Sequence, residues 1–256
     1  MIDNNIIQKI SDAAKIKASD LILEVGPGMG VLTEVLLKSA GRVIAVELDK
    51  KVLAFLRDHF AKEIESGKLV LVENDILKTN LPALGLQDFN FKIVCNLPYS
   101  ITSKFFRQFL EFGPKPSEIT VMIQKEVAER MISPAGEMNL LALSTQFFSE
   151  PEILFTVAPT CFWPEPEVDS AVIRLQLKKS LPEVDVKMLF RLARLGFASK
   201  RKQLQNNLSN GLKIKSGEVK AVLEGLGLRE DIRAQDLSVQ NWVDLTKNID
   251  SGSSRS

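Results

Sequence analysis

Strand and helix signals alternate along the first two thirds of the chain, and this alternation limits the possible folds more than any other feature. Leu21–Val25 is typical of a buried strand, residues 26–30 form a glycine-rich turn, and Val31–Ser39 has apolar residues at helical spacing. Four more strands are predicted at residues 43–46, 68–72, 91–95 and 119–123, and helices after Asp49, at 102–110 and at 125–131. Such alternation is typical of a parallel sheet covered by helices on both faces.

Two strand-like runs at residues 153–157 and 168–177 break this pattern, because Pro159, Pro164 and Pro166 between them exclude a long helix. An antiparallel pair fits best, and such a hairpin at the sheet edge distinguishes the S-adenosylmethionine-dependent methyltransferase fold from an ordinary Rossmann domain. We therefore predict an α/β fold. It consists of a Rossmann-like class I S-adenosylmethionine-dependent methyltransferase sheet, mostly parallel with a terminal antiparallel hairpin, plus a small all-α C-terminal domain.

The chain is expected to divide into three segments. Residues 1–181 carry the predicted sheet, and Pro182 marks a linker. Residues 182–248 show amphipathic helical periodicity with glycines as breakers, which predicts a small helical domain. Residues 249–256 end in a Ser/Gly-rich stretch that is typical of a flexible tail.

Composition indicates a reduced intracellular protein. Of 256 residues, 45% are hydrophobic and 25% are charged, which is ordinary for a globular chain. Two cysteines, Cys95 and Cys161, and a single histidine, His59, provide neither a disulfide framework nor a zinc cluster. The sequence has no apolar run of membrane-spanning length and no basic secretory start. We therefore expect a cytoplasmic protein that holds no metal and does not bind a membrane.

The tetrapeptide Asn96-Leu97-Pro98-Tyr99 follows the fourth apolar run and suggests methyl transfer to a planar amine. An amine conjugated with an aromatic ring, such as adenine N6, is a poor nucleophile because its lone pair is delocalised. An amide oxygen and a backbone carbonyl that each accept one N–H bond would localise that lone pair. Asn96 supplies the amide, Pro98 stiffens the turn and Tyr99 offers a face for stacking the base. Positioning and electrostatics would then drive the transfer.

The glycine turn alone leaves the donor ambiguous. The spacing G-x-G-x-G at residues 26–30 lets the backbone approach a ligand, but a dinucleotide site is the rival interpretation. Glu47 ends the second predicted strand and is placed to accept hydrogen bonds from the ribose of either cofactor. Asp75 could hold an adenine amine, or could simply cap a loop or a helix. The Asn96 tetrapeptide favours the methyl donor.

Several ordered motifs resemble those of KsgA-like ribosomal RNA adenine dimethyltransferases, and together they span nearly the whole chain. They are Glu24–Gly30, Val46-Glu47-Leu48-Asp49, Asn74-Asp75, Asn96-Leu97-Pro98-Tyr99, residues 124–131, the Phe162-x-Pro164-x-Pro166-x-Val168-Asp169-Ser170 segment with the two residues after it, and residues 196–204, which resemble the family's basic helix. The family normally opens with a Gly-Gln-Asn-Phe-Leu segment that lies against the cofactor. This chain begins with Met1-Ile2-Asp3, about where that segment would finish, so we expect part of the cofactor site to be missing.

The resemblance implies S-adenosyl-L-methionine as the methyl donor. The substrate that it implies is N6 of two adjacent adenosines near the 3′ end of 16S ribosomal RNA in the immature small ribosomal subunit. The donor contacts that it implies are Glu24, Gly26, Gly28, Gly30, Glu47, Leu48, Asp75, Ile76 and Asn96. The implied catalytic residues are Asn96, Leu97, Pro98, Tyr99 and Phe162, with Tyr99 and Phe162 flanking a flipped adenine. An alternative for Phe162, which lies among prolines, is that it fills the core.

A basic segment predicts contact with RNA. Nine basic residues and one acidic residue lie between Lys187 and Lys220. Lys200, Arg201 and Lys202 are consecutive, and together with Lys125 and Arg194 they are the candidate RNA-binding residues. The alternative is a solvated helix face. Phosphate contacts give affinity that falls with salt but select no sequence, so specificity would come from the shape of the folded RNA. We expect the helical domain to bind RNA and the protein to be a monomer.

Three other functions remain open at this stage. An Erm-type enzyme that methylates adenine N6 in 23S ribosomal RNA shares the catalytic logic. A non-catalytic nucleic-acid-binding protein similar to the mitochondrial transcription factor B group would share the fold, although the intact Asn96 tetrapeptide argues against it. A nicotinamide dehydrogenase is least favoured, because no catalytic Tyr/Lys or His/Asp arrangement is apparent.

Overall fold

The chain folds as two compact units. The computed structural model describes the backbone of residues 3–253 and the side chains of residues 3–249. Within these residues, the first unit covers residues 3–129 and 148–179, and the second covers residues 130–147 and 180–253. The predicted domain boundary at residues 181 and 182 stays a prediction. Residues 130–147 belong to the second unit by their contacts, although they precede the predicted boundary in the sequence.

The first unit is built on one seven-stranded sheet. In sheet order β3-β2-β1-β4-β5-β7-β6, the first five strands are parallel to each other, and β7 is antiparallel to both β5 and β6. The predicted fold class is therefore confirmed, including the terminal antiparallel hairpin. The strands are β1 (Leu21–Val25), β2 (Arg42–Glu47), β3 (Leu69–Glu73), β4 (Lys92–Asn96), β5 (Glu118–Gln124), β6 (Ser149–Val157) and β7 (Ser170–Leu177).

The strand order places β1 and β4 side by side at the point where the chain changes direction across the sheet. β2 and β3 extend the sheet on one side of β1, and β5 extends it beyond β4. Loops that leave the carboxyl ends of β1 and β4 therefore diverge, and this switch point is where open α/β sheets bind ligands. The turn at Gly26 follows β1, and Asn96 is the last residue of β4.

Helices cover the sheet because their apolar faces pack on it. α3 is typical: Asp49 Oδ1 accepts the backbone N–H of Lys51 at 2.7 Å and caps the helix, which buries Leu53 and Leu56. The helices before the second unit are α1 (Asn4–Ala13), α2 (Val31–Ser39), α3 (Lys50–His59), α4 (Ala61–Glu65), α5 (Thr102–Arg107) with a π-helical turn at Gln108–Phe112, and α6 (Lys125–Met131). Single 3-10 turns lie at Ile76–Lys78, Pro82–Leu84, Tyr99–Ile101 and Pro159–Cys161.

All regular structure in the described residues of the second unit is helical. Trp242 is fully buried there, together with Leu192, Leu208 and Leu223. The helices are α7 (Leu140–Phe148), α8 (Val186–Gly196), α9 (Leu204–Leu212), α10 (Ser216–Gly225) and α11 (Val239–Ser253), with a 3-10 turn at Ala234–Asp236. The segment predicted to be a flexible tail begins at residue 249. It is helical as far as Ser253, and its last residues, 254–256, lie outside the described part of the chain.

Candidate active site

The glycine turn after β1 is held in a backbone conformation that favours glycine. The φ angles are +66° at Gly26, +54° at Gly28 and +80° at Gly30. A Cβ added at Gly28 would meet no atom within 4 Å, so this position faces open space. A Cβ at Gly30 would lie 2.6 Å from the ring of Phe60, so this glycine is needed for packing against α3 and its cap residue. The three glycines therefore have different roles.

Two cavities meet beside this turn. The larger has a volume of about 570 Å³, and Glu24, Gly26, Gly28, Asn96 and Phe162 are among the residues that line it. The smaller has a volume of about 360 Å³. It is lined by Gly26, Asn96, Leu97, Pro98, Tyr99, Phe162, Pro164 and Pro166. Gly26, Asn96 and Phe162 line both, so a ligand in one cavity and a ligand in the other would approach each other at Asn96.

The Asn96 side chain and one backbone carbonyl remain available in the turn after β4. The Asn96 carboxamide forms no hydrogen bond with the described residues. The Pro98 carbonyl accepts the Ile101 N–H at 3.2 Å, and the Tyr99 carbonyl accepts the Thr102 hydroxyl at 3.1 Å. Among the carbonyls between residues 97 and 99, the one at Leu97 makes no hydrogen bond within the described chain. The carboxamide oxygen of Asn96 and the carbonyl oxygen of Leu97 are thus both free to accept an N–H.

Two aromatic side chains frame the smaller cavity. Tyr99 lies in the 3-10 turn after Asn96, and its hydroxyl forms a hydrogen bond of 2.8 Å with Ser170 Oγ at the start of β7. Phe162 is half-buried and packs against the hydrophobic core while it also lines both cavities. Filling the core and facing a ligand are therefore compatible roles for Phe162.

The two acidic residues predicted to bind the donor are partly engaged in local hydrogen bonds. Glu47 Oε1 accepts the backbone N–H groups of Leu48 at 2.8 Å and Asp49 at 2.9 Å, which fixes the carboxylate. Asp75 Oδ1 accepts the N–H of Leu77 at 3.0 Å, so Asp75 caps the short turn at Ile76–Lys78 as the alternative interpretation proposed. In each carboxylate the second oxygen forms no hydrogen bond with the described residues, so it is open to a ligand.

Glu24 is the most strongly perturbed acid of the site. It lies in β1, is 1% exposed, and accepts a hydrogen bond of 2.7 Å from the Thr33 hydroxyl of α2. Burial, with a smaller contribution from the negative charge of Glu47, raises the pKa of Glu24 to about 8. Burial also raises the pKa of the neighbouring Cys95 thiol far above its ordinary value. Cys95 is therefore a neutral core residue.

Some residues predicted for the site lie outside the two cavities. Gly30, Glu47, Leu48, Asp75 and Ile76 line neither of them. Leu48 is 69% exposed, whereas Ile76 is buried. Glu47 and Asp75 still lie at the carboxyl edge of the sheet, because they end β2 and follow β3.

Several residues that line the larger cavity were not identified from the sequence. Among them are Asn4 and Ile7 of α1, Met29 of the glycine turn, and Trp163 beside Phe162. Met29 is 59% exposed and Trp163 is 78% exposed. The spacing of Ile6, Ile7 and Ile10 could have indicated α1, a helix that the sequence analysis did not predict. No sequence signal placed α1 beside the glycine turn.

The three consecutive cations lie in a turn and not in the expected basic helix. α8 ends at Gly196, and α9 begins at Leu204. Lys200, Arg201 and Lys202 are exposed between them. The helix is interrupted because the buried Asn207 side chain donates hydrogen bonds to the carbonyls of Gly196 at 2.7 Å and Ser199 at 3.0 Å. These bonds hold the turn, which we call the basic turn (residues 199–203).

The other two predicted RNA contacts have different environments. Arg194 is exposed on α8. Lys125 begins α6, and its Nζ lies 3.6 Å from Asp169 Oδ2, so its charge is partly neutralised within the protein. Lys125 is thus less available for phosphate than Arg194.

Two further features of the described residues bear on function. Among residues 3–253, no three His, Cys, Asp or Glu side chains are grouped in a way that could hold a metal ion. His59 is the last residue of α3, lies against the rings of Phe55 and Phe60, and lines neither cavity.

Each helix in the described part of the chain is too short or too polar to cross a bilayer.

The chain is similar in sequence to a known protein family and to named relatives. Residues 1–251 match the family described as ribosomal RNA adenine dimethylase. A protein of Dehalococcoides mccartyi strain CBDB1, named ribosomal RNA small subunit methyltransferase A, is 42% identical over 250 residues, which cover 96% of this chain and 84% of that protein.

Solved structures show the same architecture. A dimethyladenosine transferase from Plasmodium falciparum has a TM-score of 0.83 and 26% identity, covering 99% of this chain and 98% of that one. The 23S rRNA methyltransferase ErmE has a TM-score of 0.76 and 26% identity, covering 97% and 98%. At the level of fold alone, TrmK of M. capricolum, solved with S-adenosyl-homocysteine, has a TM-score of 0.50 and 13% identity, covering 95% and 96%.

Proposed function

The chain belongs to the ribosomal RNA adenine dimethylase family, and we propose that it methylates N6 of two adjacent adenosines near the 3′ end of 16S rRNA in the immature small subunit. The protein is an S-adenosylmethionine-dependent enzyme that acts on ribosomal RNA. The observation that carries the assignment of the site is the wall shared by the two cavities at Gly26, Asn96 and Phe162. We assign the donor to the larger cavity and the target adenine to the smaller one.

The residues of the larger cavity fit the donor. The open space at Gly28 allows close approach to the backbone, and the free oxygens of Glu47 and Asp75 lie at the same edge of the sheet. When bound, S-adenosylmethionine supplies a methyl group activated on a positively charged sulfur. Glu47 would hold the ribose hydroxyls, and Gly26 and Gly28 would leave room for the rest of the molecule.

The residues of the smaller cavity would orient and activate the amine. The Asn96 carboxamide oxygen and the Leu97 carbonyl accept one N–H bond each, which draws the nitrogen toward tetrahedral geometry and directs its lone pair at the donor. Tyr99 and Phe162 flank the base after it leaves the RNA stack. The extra proton of the methylated amine is acidic and passes to water. No histidine base is needed, and His59 is not at the site.

Positive side chains would supply general affinity for RNA. Lys200, Arg201 and Lys202 of the basic turn and Arg194 of α8 are exposed, and we assign them to phosphate contacts. Lys125 is assigned a weaker contact because Asp169 is close to it. We further propose that the protein acts as a monomer in the cytoplasm, where small subunits are assembled.

The test compares wild type with Asn96→Ala on undermethylated small subunits and labelled S-adenosylmethionine. Mass spectrometry of the RNA nucleosides should show dimethyladenosine with wild type and at most trace amounts with the variant. Asn80→Ala is a matched control, because Asn80 is exposed and lines neither cavity. Equal incorporation by wild type and Asn96→Ala would exclude the role assigned to Asn96.

The same assay decides between the rival functions. Separate large subunits serve as substrate for the Erm-type alternative, and methylation of these alone would replace the assigned target. Calorimetry with S-adenosylmethionine addresses the binding-factor alternative, which predicts RNA binding with no donor binding at high concentration.

A further inference from the structure

The carboxyl group of Glu24 is buried in the wall of the larger cavity. It is 1% exposed and lines the cavity together with Gly26 and Asn96. Its one hydrogen-bond partner among the described residues is the Thr33 hydroxyl, at 2.7 Å from Oε2. No nitrogen of Lys, Arg or His lies within 4.0 Å of it in this part of the chain. A buried carboxylate without a cation is costly, and such a group stays protonated until a positive charge arrives.

The groups around Glu24 do not supply that charge. β2 contributes Glu47, whose negative charge disfavours a second carboxylate nearby, and β4 contributes the neutral thiol of Cys95. α2 contributes Thr33, and α1 contributes Asn4 and Ile7 to the lining of the same cavity. Burial is the main reason why the pKa of Glu24 rises to about 8, so the carboxyl is mostly neutral at pH 7.

The molecule assigned to this cavity brings the missing charge. S-adenosylmethionine carries a sulfonium and an α-ammonium against one carboxylate, whereas S-adenosylhomocysteine has lost the sulfonium charge and is neutral overall. A charge that enters a cavity lined by a buried carboxyl favours the ionised form of that carboxyl.

We propose that Glu24 distinguishes the methyl donor from its demethylated product by charge, releasing one proton to solvent when the donor binds and regaining one when the product remains. This inference rests on the proposed function, because it requires the donor to occupy the larger cavity. Glu24 is a positioning and specificity residue here and exchanges no proton with the target amine. The ionised carboxylate of Glu24 strengthens the binding of the cationic donor. When Glu24 is protonated again, the affinity for the product is lower.

Thr33 sets how readily Glu24 ionises. A hydroxyl that donates to a carboxylate forms a stronger hydrogen bond than one paired with a neutral carboxyl group. Thr33→Val removes this stabilisation with little change in volume, so ionisation of Glu24 becomes harder. Donor affinity at pH 7 should then fall roughly 10- to 100-fold, the effect of one hydrogen bond to a charged group. The difference from wild type should narrow at pH 9, because higher pH favours the ionised form of Glu24 in both proteins.

The main experiment is isothermal titration calorimetry of the full chain at pH 7 in buffers of different ionisation enthalpy, which counts protons released on binding. The ligands are S-adenosylmethionine and S-adenosylhomocysteine. Wild type should release more protons with the donor than with the product. The donor's α-ammonium titrates near the same pH, at about 8. Glu24→Gln retains the α-ammonium contribution alone and should release distinctly fewer protons with the donor than wild type.

A matched control separates this role from a structural one. Thr120 is buried in β5 and its hydroxyl donates to Glu118 at 3.4 Å, so it forms a second Thr–Glu pair that lines neither cavity. Thr120→Val should leave proton release and its pH dependence unchanged. If Glu24 only anchored α2 through Thr33, the variants of Glu24 and Thr33 would lower stability and leave proton release the same.

The possible outcomes are distinct. The inference is overturned if wild type and Glu24→Gln release the same number of protons with the donor. It is also overturned if wild type releases the same number with donor and with product. In both cases, binding of the donor still supports the proposed function. Absence of any donor binding to wild type overturns both. If Glu24→Gln does not fold, the donor affinity of Thr33→Val at pH 7 and pH 9 tests the proposal instead. Recovery of affinity at pH 9 supports the proposal. A loss of affinity that is the same at both pH values contradicts it.

Discussion

The phenol oxygen of Tyr99 lies 2.8 Å from Oγ of Ser170, and this hydrogen bond joins the turn after β4 to the first residue of β7. The two residues are 71 positions apart in the sequence. The bond fixes the rotation of the Tyr99 ring against the smaller cavity, where the ring is assigned to stack on the target base. The residue thus combines a stacking face with a polar anchor.

Loss of this anchor should have a modest effect, and loss of the ring a large one. Tyr99→Phe and Ser170→Ala each remove the hydrogen bond, which is worth about 1 kcal/mol, so kcat/KM for RNA should fall roughly 3- to 10-fold. Tyr99→Ala also removes stacking and should cost about 100-fold or more. Steady-state kinetics with RNA at saturating donor measures each effect.

The double variant Tyr99→Phe with Ser170→Ala is the internal control for that prediction. Both changes break the same bond, so the double variant should be little worse than either single one. Fully additive losses would mean that the two side chains act independently.

Two glycines of the same turn should respond differently to alanine. Gly30→Ala forces a Cβ to 2.6 Å from Phe60 and 2.9 Å from Leu56 Cδ2 at a positive φ, so it should lower the free energy of unfolding by about 2–4 kcal/mol. Gly28→Ala meets no neighbour and should cost only about 1 kcal/mol from its positive φ. Its methyl group faces the donor cavity, so donor affinity should fall about 10-fold or more.

Denaturant unfolding and donor calorimetry distinguish the two glycine variants. In each variant the loss of unfolding free energy is compared with the loss of donor affinity. A general destabilisation would lower both in parallel. A Gly28→Ala variant that binds donor as tightly as wild type would contradict the placement of the donor against this turn.

Stability should depend on pH through Glu24. The pKa of this carboxyl is raised from 4.5 to about 8 on folding, so the unfolded chain releases the proton first as pH rises. The free energy of unfolding therefore falls between about pH 4.5 and pH 8, by a contribution on the order of 5 kcal/mol. Glu24→Gln lacks this contribution and should become more stable relative to wild type across that range.

Urea unfolding at intervals between pH 5 and pH 9 measures the difference between wild type and Glu24→Gln. Other titrating groups are common to both proteins and cancel in the difference. A difference that stays constant with pH would show that Glu24 ionises in the folded protein as it does in the unfolded chain.

The basic turn should govern the salt dependence of RNA binding. Changing Lys200, Arg201 and Lys202 to alanine removes three exposed cations. The plot of log affinity against log salt should therefore become shallower, with its negative slope smaller in magnitude by about 2–3. Asn207→Ala leaves the charges but releases the turn, and should weaken RNA binding with a smaller change of slope. Fluorescence anisotropy with a labelled RNA hairpin at several salt concentrations measures both.

A matched variant tests whether position or net charge matters. Changing Lys9, Lys62 and Lys78 to alanine removes the same number of exposed positive charges elsewhere. This variant should keep the wild-type slope, whereas an equal loss of slope would assign RNA affinity to the overall charge of the protein.

Much of the fold followed from local patterns. β1, α2 and α6 were predicted with the bounds that the structure shows, and Asp49 caps α3 as expected. These features depend on residues within one or two turns of each other, so periodicity and capping suffice to find them. α1 was missed, and the basic turn was expected to be helical, because tertiary hydrogen bonds such as those of Asn207 decide the local conformation there.

The order of residues along the chain determined the alternation of strands and helices, the glycine turn and the Asn96 tetrapeptide, because each depends on neighbours in sequence. Only the tertiary structure decided that Gly26, Asn96 and Phe162 line two adjoining cavities, since β1, β4 and the segment before β7 meet only when the sheet forms. It likewise decided that Glu24 is buried against Thr33. The free energy of ionising a carboxyl depends on the solvent and charges around it in space, and the sequence does not specify these before the chain has folded.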